Sequence, residues 1–100
     1  MTITQLRYII SLSETKNFSK AAMNCDISQP TLSMQIQKLE EKLGVTIFDR
    51  SKKPVELTLK GKKIIIQAKK TIEEFDKIIK IINTKKETLK GGFIFKSYNS

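Results

Sequence analysis

The stretch SQPTLSMQIQKLE, residues 28–40, decides how the rest of the chain is read. Its second half is an ordinary amphipathic helix, because Leu32, Ile36 and Leu39 recur on one face. Its first half is different. Pro30 falls in the first turn, where its missing N–H costs nothing. Gln29, Thr31, Ser33 and Gln35 crowd the first two turns with short hydrogen-bonding groups, and charges come only further back. Ser28 carries the hydroxyl of an N-cap, and Gly44 suits the left-handed residue after Leu43. The pattern predicts a helix over 28–43 with a buried rear stripe and a polar front.

Upstream, Thr2 and Gln5 have the spacing of a capping box. Leu6, Ile9, Ile10 and Leu12 then mark a first helix ending near Glu14. TKN breaks it, and Asn17 caps a short second helix, FSKAAMNC. Phe18, Ala21, Ala22 and Cys25 share a face, and the alanine pair permits close approach of another helix. The three residues DIS form the turn into the helix at 28, with Ile27 plugging the core. Downstream, VTIFDR and VELTL are β-prone pieces around SKKP, a short ribbon with a basic tip.

A long helix begins near Thr58 and Leu59. Ile65, Ala68, Ile72, Phe75, Ile79 and Ile82 follow a heptad seam, with Leu89 in phase. Some 30 residues at about 1.5 Å each give a rod of about 45 Å. The small preceding domain cannot cover that face, so the expected cover is the same helix of a second chain. The competing reading, an amphipathic membrane helix, fits poorly with Glu73, Glu74 and Asp76 at mid-helix.

Helix, short helix, three-residue turn, longer helix and basic ribbon make a winged helix-turn-helix, mainly α with a small two-stranded β wing. In that motif the second helix of the pair enters the major groove with its N-terminal residues leading. The polar front then has a purpose. Gln side chains reach base edges, and Ser and Thr hydroxyls reach bases or phosphates. Backbone N–H groups at the helix start favour phosphate oxygens.

The bulk properties agree. The 100 residues carry 19 basic and 10 acidic side chains, net +9. Residues 1–44 hold five basic and four acidic groups, and residues 45–100 hold fourteen and six. Such a balance suits a polyanionic partner, above all nucleic acid, although a lysine-rich proteome produces the same excess. There is one cysteine, Cys25, and no histidine, so an internal disulfide and a His/Cys zinc site are excluded. Cys25 reads as a small buried hydrophobe. No paired carboxylates stand beside a pocket-forming pattern, which argues against an enzyme, and no cofactor or metal is expected. No apolar run approaches the roughly 18 residues of a membrane span, and MTITQLRYII is not a signal peptide, so the chain is expected in the cytoplasm.

The residues FSKAAMNCDISQPTLSMQIQKLEEKLGVTIFDR, followed by LTLKG, resemble the N-terminal DNA-binding domain of LysR-type transcriptional regulators. The resemblance covers about residues 1–90, and SQPTLS with KLEEKLGV is most similar to the peroxide-responsive members. It implies a double-stranded DNA binder acting as a homodimer or dimer of dimers on an AT-rich, pseudo-palindromic operator. By the resemblance, Gln29, Pro30, Thr31, Ser33 and Met34 lie at recognition positions, with Gln37 and Lys38 further along the groove. Ser19 matches a phosphate-facing position, Arg50 the wing arginine, Ser51, Lys52 and Lys53 the wing tip, and Thr58 a DNA-backbone contact. Met34 departs from the arginine common in the family and cannot make a bidentate guanine contact.

The resulting organisation is a winged helix-turn-helix domain over 1–58 (helix-turn-helix about 18–37), a linker helix over 59–88, and a start of an effector domain or a tail over 89–100. The family continues into an effector domain that would take a small-molecule or redox inducer. The expectation is a truncated gene product, a frameshifted remnant or an engineered fragment. The alternative function is a fragment that forms mixed dimers with a full-length homologue and modulates it.

Overall fold

The computed structural model describes residues 1–84. Four helices and one two-stranded antiparallel sheet follow in the order α1 (Ile3–Thr15), α2 (Phe18–Asn24), α3 (Gln29–Leu43), β1 (Phe48–Asp49), β2 (Glu56–Leu57) and α4 (Leu59–Ile82). This is a winged helix-turn-helix, as the sequence predicts.

Each helix starts on a side chain suited to the task. Thr2 and Gln5 form the reciprocal capping box, each accepting the other's backbone N–H at 3.0 Å. Asn17 accepts from Lys20, Ser28 from Thr31 and Thr58 from Gly61. Gly44 ends α3 in the left-handed region at φ +69°, and Asp26 sits there in the turn at φ +59°.

The core lies where α1, α2, α3 and α4 meet. Leu6, Ile9 and Leu12 of α1, Ala21 and Ala22 of α2, and Leu32, Ile36 and Leu39 of α3 are buried, joined by Ile47, Phe48 and Val55 from the wing region. Burying one such leucine or isoleucine contributes roughly 1.5–3 kcal/mol. Ile27 packs against this cluster from the turn. Cys25 differs from its expected place. It is the C-cap of α2 and only half-buried.

The wing is shorter than the sequence suggests. VTIFDR and VELTL contribute only two paired residues each, Phe48 opposite Leu57 and Asp49 opposite Glu56. Within VTIFDR, the amides of Ile47 and Phe48 instead bond the Glu40 carboxylate. The Thr58 amide bonds the Ile47 carbonyl at 2.9 Å and closes the wing's base.

Helix α4 requires a correction to the heptad seam. Ile65 and Ala68 are 5% and 3% exposed in the single chain. Both belong to the domain's own core, and Ile72 packs against it. They have no surface left for a second chain. Phe75 stands beside the Arg7 guanidinium at 6.0 Å. The part of the stripe left open is Ile79 and Ile82, with Ile78 and Ile81 beside them. Two ion pairs also fasten α4 to α1, Arg7–Asp76 at 3.0 Å and Lys69–Glu14 at 3.5 Å. Both are exposed and worth little individually. The described helix has 24 residues and is roughly 36 Å long. Residues 85–88 of the expected linker helix, Leu89 and the segment 89–100 lie outside the described residues.

Gly61 explains the end of the LTLKG motif. A Cβ there would run into the backbone carbonyl of Ile47. The first turn of α4 can therefore lie against the strand entry only if this position has no side chain.

Candidate nucleic-acid interface

Burial of Leu32, Ile36 and Leu39 fixes the rotation of α3. That rotation turns Gln29, Pro30, Met34, Gln37 and Lys38 to solvent. The first turn of α3 follows the tight turn at Asp26. Ser28 satisfies the Thr31 amide at 3.2 Å and its hydroxyl donates to the Thr31 hydroxyl at 2.8 Å. Ser19 of α2 donates to the Gln29 side-chain carbonyl at 2.8 Å, which leaves the Gln29 NH₂ group free to donate outward. Met34 is 47% exposed, an apolar tip among polar neighbours. The Gln37 amide lies 3.5 Å from the Glu41 carboxylate, a weak tie on an otherwise open side chain.

The wing adds the charge. Lys52 and Lys53 are exposed at its tip, and neither forms an ion pair among the described residues. Asp49 organises the turn before them. Its carboxylate accepts the Ser51 hydroxyl at 2.6 Å and the Ser51 amide at 3.0 Å. These bonds hold the Asp49 carboxyl below its ordinary range, the Ser51 hydroxyl contributing most. The Ser51 hydroxyl is thereby spent inside the turn rather than offered to a phosphate.

Arg50 is exposed, but its guanidinium is engaged within the chain. One guanidinium nitrogen donates to the Ser33 hydroxyl at 3.0 Å, and the other lies 3.7 Å from Glu40. The guanidinium also stands over the Phe18 ring at 5.1 Å. One side chain thus ties the wing to α2 and α3. Glu40 completes the junction. Its other oxygen accepts the amides of Ile47 at 2.7 Å and Phe48 at 3.1 Å. Sequence reading assigned Glu40 no role. The available signal was an acidic residue one turn before the C-cap, ahead of a strand whose first amides need acceptors.

Thr58 also departs from its expected role. Its hydroxyl donates to the Thr46 carbonyl at 2.6 Å and accepts the Gly61 amide at 2.9 Å. A phosphate oxygen only accepts, so this hydroxyl has no proton left to give it. Thr58 is a helix cap.

Of the sequence-predicted residues, Ser19, Gln29, Pro30, Met34, Gln37, Lys38, Arg50, Ser51, Lys52 and Lys53 are open to solvent. Thr31 and Ser33 are half-buried at the same front. A groove of about 410 Å³ lies elsewhere, lined by Arg7, Tyr8, Glu14, Cys25 and Ile72 among others, with no residue from α3 or the wing. Among the described residues, no group of three or more His, Cys, Asp or Glu side chains could hold a metal ion, and no helix is long and apolar enough to cross a membrane.

A polar helix front beside a basic wing is the layout of a DNA-binding regulator, and comparison with known proteins gives the family. Residues 3–62 match the model for the bacterial regulatory helix-turn-helix protein, lysR family, and the chain belongs to that family. Escherichia coli K12 OxyR, a DNA-binding transcriptional dual regulator, is 37% identical over 91 residues, covering 91% of this chain and 30% of that protein. The hydrogen peroxide-inducible genes activator of Haemophilus influenzae is 43% identical over 74 residues, covering 74% of this chain and 25% of that protein. Among solved structures, the BenM DNA-binding domain in complex with benA site 1 DNA superposes with a TM-score of 0.81 at 34% identity, covering 92% of this chain and 99% of that one. A full-length OxyR variant from Pseudomonas aeruginosa superposes with a TM-score of 0.78 at 48% identity, covering 81% and 28%. The chain spans about a quarter to a third of the length of the curated relatives it matches.

Proposed function

We propose that this chain reads double-stranded DNA as a dimer in the cytoplasm and regulates transcription from a pseudo-palindromic, AT-rich operator. The observation that carries the reading is the rotation of α3. Its buried stripe leaves Gln29, Met34, Gln37 and Lys38 facing outward beside the wing lysines. The likeness to the BenM domain solved on DNA supports the same docking here. In this reading the front of α3 enters the major groove. Gln29 and Ser33 donate to base edges or phosphates, and Met34 offers an apolar contact such as a thymine methyl. Lys52 and Lys53 neutralise flanking phosphates. Two copies meeting through Ile79, Ile82 and their neighbours Ile78 and Ile81 would set two recognition helices in successive major grooves, about 34–36 Å apart or a multiple of that. A dimer of dimers would pair two such units.

The test is selection from a randomised duplex pool by the intact chain, followed by affinity measurements on the enriched duplex across salt concentrations. Enrichment of an inverted repeat, with log affinity falling steeply and linearly against log salt, is the expected result. No enrichment and no salt-dependent binding would overturn it.

The same exposed isoleucines favour a second reading, in which the chain pairs with a longer homologue and modulates it. Co-expression with such a homologue separates the two. Mixed dimers without operator binding by the chain alone support the second.

A further inference from the structure

We propose that Arg50 is a positioning residue that fixes the polarity of Ser33, so that Ser33 meets DNA only as a hydrogen-bond donor. The inference rests on the DNA-binding reading above and assigns a chemistry within it.

A serine hydroxyl has one proton to give and two lone pairs to receive with. Arginine can only donate, so the 3.0 Å contact from Arg50 necessarily occupies a lone pair of Ser33. The fate of the Ser33 proton then distinguishes this residue. Ser11, Ser13, Ser19, Ser28 and Ser51 each donate their hydroxyl to a named acceptor in the chain. Thr15 and Thr71, inside helices, turn back to the carbonyls of Ser11 and Gln67. Ser33 alone among the serines of the described residues makes no such bond. A mid-helix serine ordinarily has that back-bond available. Here the Arg50 fork comes from the wing side instead, also reaching toward the Ser33 carbonyl at 3.5 Å.

The arginine is itself held from three directions. Phe18 lies under its plane, Glu40 faces one nitrogen and Ser33 the other. Its side chain is 34% exposed and that of Glu40 14%. The planar fork suits such multiple contacts, and a lysine ammonium has no equivalent geometry. Ser33 is left with its proton on the open side of α3 and a positive group behind it, which polarises the O–H outward. Its fitting partners are pure acceptors: a phosphate oxygen, purine N7, guanine O6 or thymine O4. Adenine N6 and cytosine N4, which donate, do not suit it.

The experiment uses the intact chain and the duplex it enriches from a randomised pool. Dissociation constants are measured by fluorescence anisotropy at several salt concentrations for wild type, Arg50→Lys, Ser33→Ala and the double variant. Arg50→Lys keeps the charge and loses the fork. Positioning predicts that Arg50→Lys weakens specific binding on the order of tenfold with the salt slope unchanged. In the Ser33→Ala background it then costs less than twofold. Arg50→Gln tests the charge: its slope should also match wild type. A slope reduced by about 0.9, the value for one lost phosphate contact, would overturn the proposal. So would full affinity in Arg50→Lys, or additive losses in the double variant. NMR of the free wild-type chain covers variants that misfold. Slow rotation of the Arg50 guanidinium is expected, and free rotation contradicts the proposal. Failure of wild type to bind any duplex overturns the DNA-binding reading itself, whereas binding with additive variants overturns only this inference.

Discussion

The carboxylate of Glu40 accepts the backbone amide of Ile47 at 2.7 Å, across seven residues, and so ties the entry of the wing to the end of α3. The same oxygen takes the amide of Phe48, and the other oxygen faces Arg50. One partly buried side chain therefore couples strand entry to helix end. Glu40→Ala leaves two backbone N–H groups without their acceptor. It should destabilise the fold by about 1–3 kcal/mol in chemical denaturation, with weaker DNA binding as a consequence. An unchanged denaturation midpoint would show that water replaces the carboxylate without loss.

Gly61→Ala should destabilise, although alanine in place of glycine inside a helix normally gains about 1 kcal/mol. The added Cβ meets the Ile47 carbonyl, a backbone atom that cannot swing away as a flexible side chain does. Overpacking of this kind costs roughly 1–3 kcal/mol. Thermal melts of the two chains decide the sign.

The stripe on α4 should split into two functional halves. Ile65→Asp places a charge in the domain core and should unfold it, as seen by circular dichroism. Ile79→Asp lies on the open part of the helix and should leave the fold intact while dissociating a dimer, as seen by sedimentation. A monomer–dimer profile indifferent to Ile79→Asp would remove this face from the interface.

The Asp49–Ser51 turn should respond to acid. The folded carboxyl titrates below its ordinary 3.8, so its bonds to Ser51 contribute fully above that value. The contribution fades as pH falls through the lower folded pKa. The protection of the Ser51 amide, its exchange rate relative to an unstructured amide at the same pH, should fall in that acid range and hold steady from there to neutrality, and Asp49→Ala should show the reduced protection at all pH values.

Gln29→Ala should cost about 1–3 kcal/mol on an enriched duplex and little on a scrambled one if, as proposed, the NH₂ group that the Ser19 bond leaves free reads base edges. Lys52→Ala should weaken binding to both duplexes alike and reduce the salt slope by roughly 0.9.

Local chemistry was readable along the sequence. The caps at Thr2, Asn17 and Ser28 and the left-handed Gly44 depend on near neighbours, and the structure has each of them. The stripe of Leu32, Ile36 and Leu39 likewise told which side of α3 is buried. Long-range features were not readable. A heptad spacing reports that Ile65 and Ala68 are covered, and cover by the chain's own α1 leaves the same spacing as cover by a second chain. The roles of Glu40 and Arg50 depend on meeting groups seven and seventeen residues away. Gly61 stood in a quoted motif, but its reason is an approach to Ile47 that only the fold creates.

The most direct measurement is a titration of the isotopically labelled chain with its enriched duplex, followed by backbone amide NMR. The largest shifts are expected at residues 28–38 and 50–53, with the groove around Arg7, Glu14 and Ile72 silent. Shifts concentrated in that groove, with α3 and the wing unmoved, would contradict the DNA-binding reading.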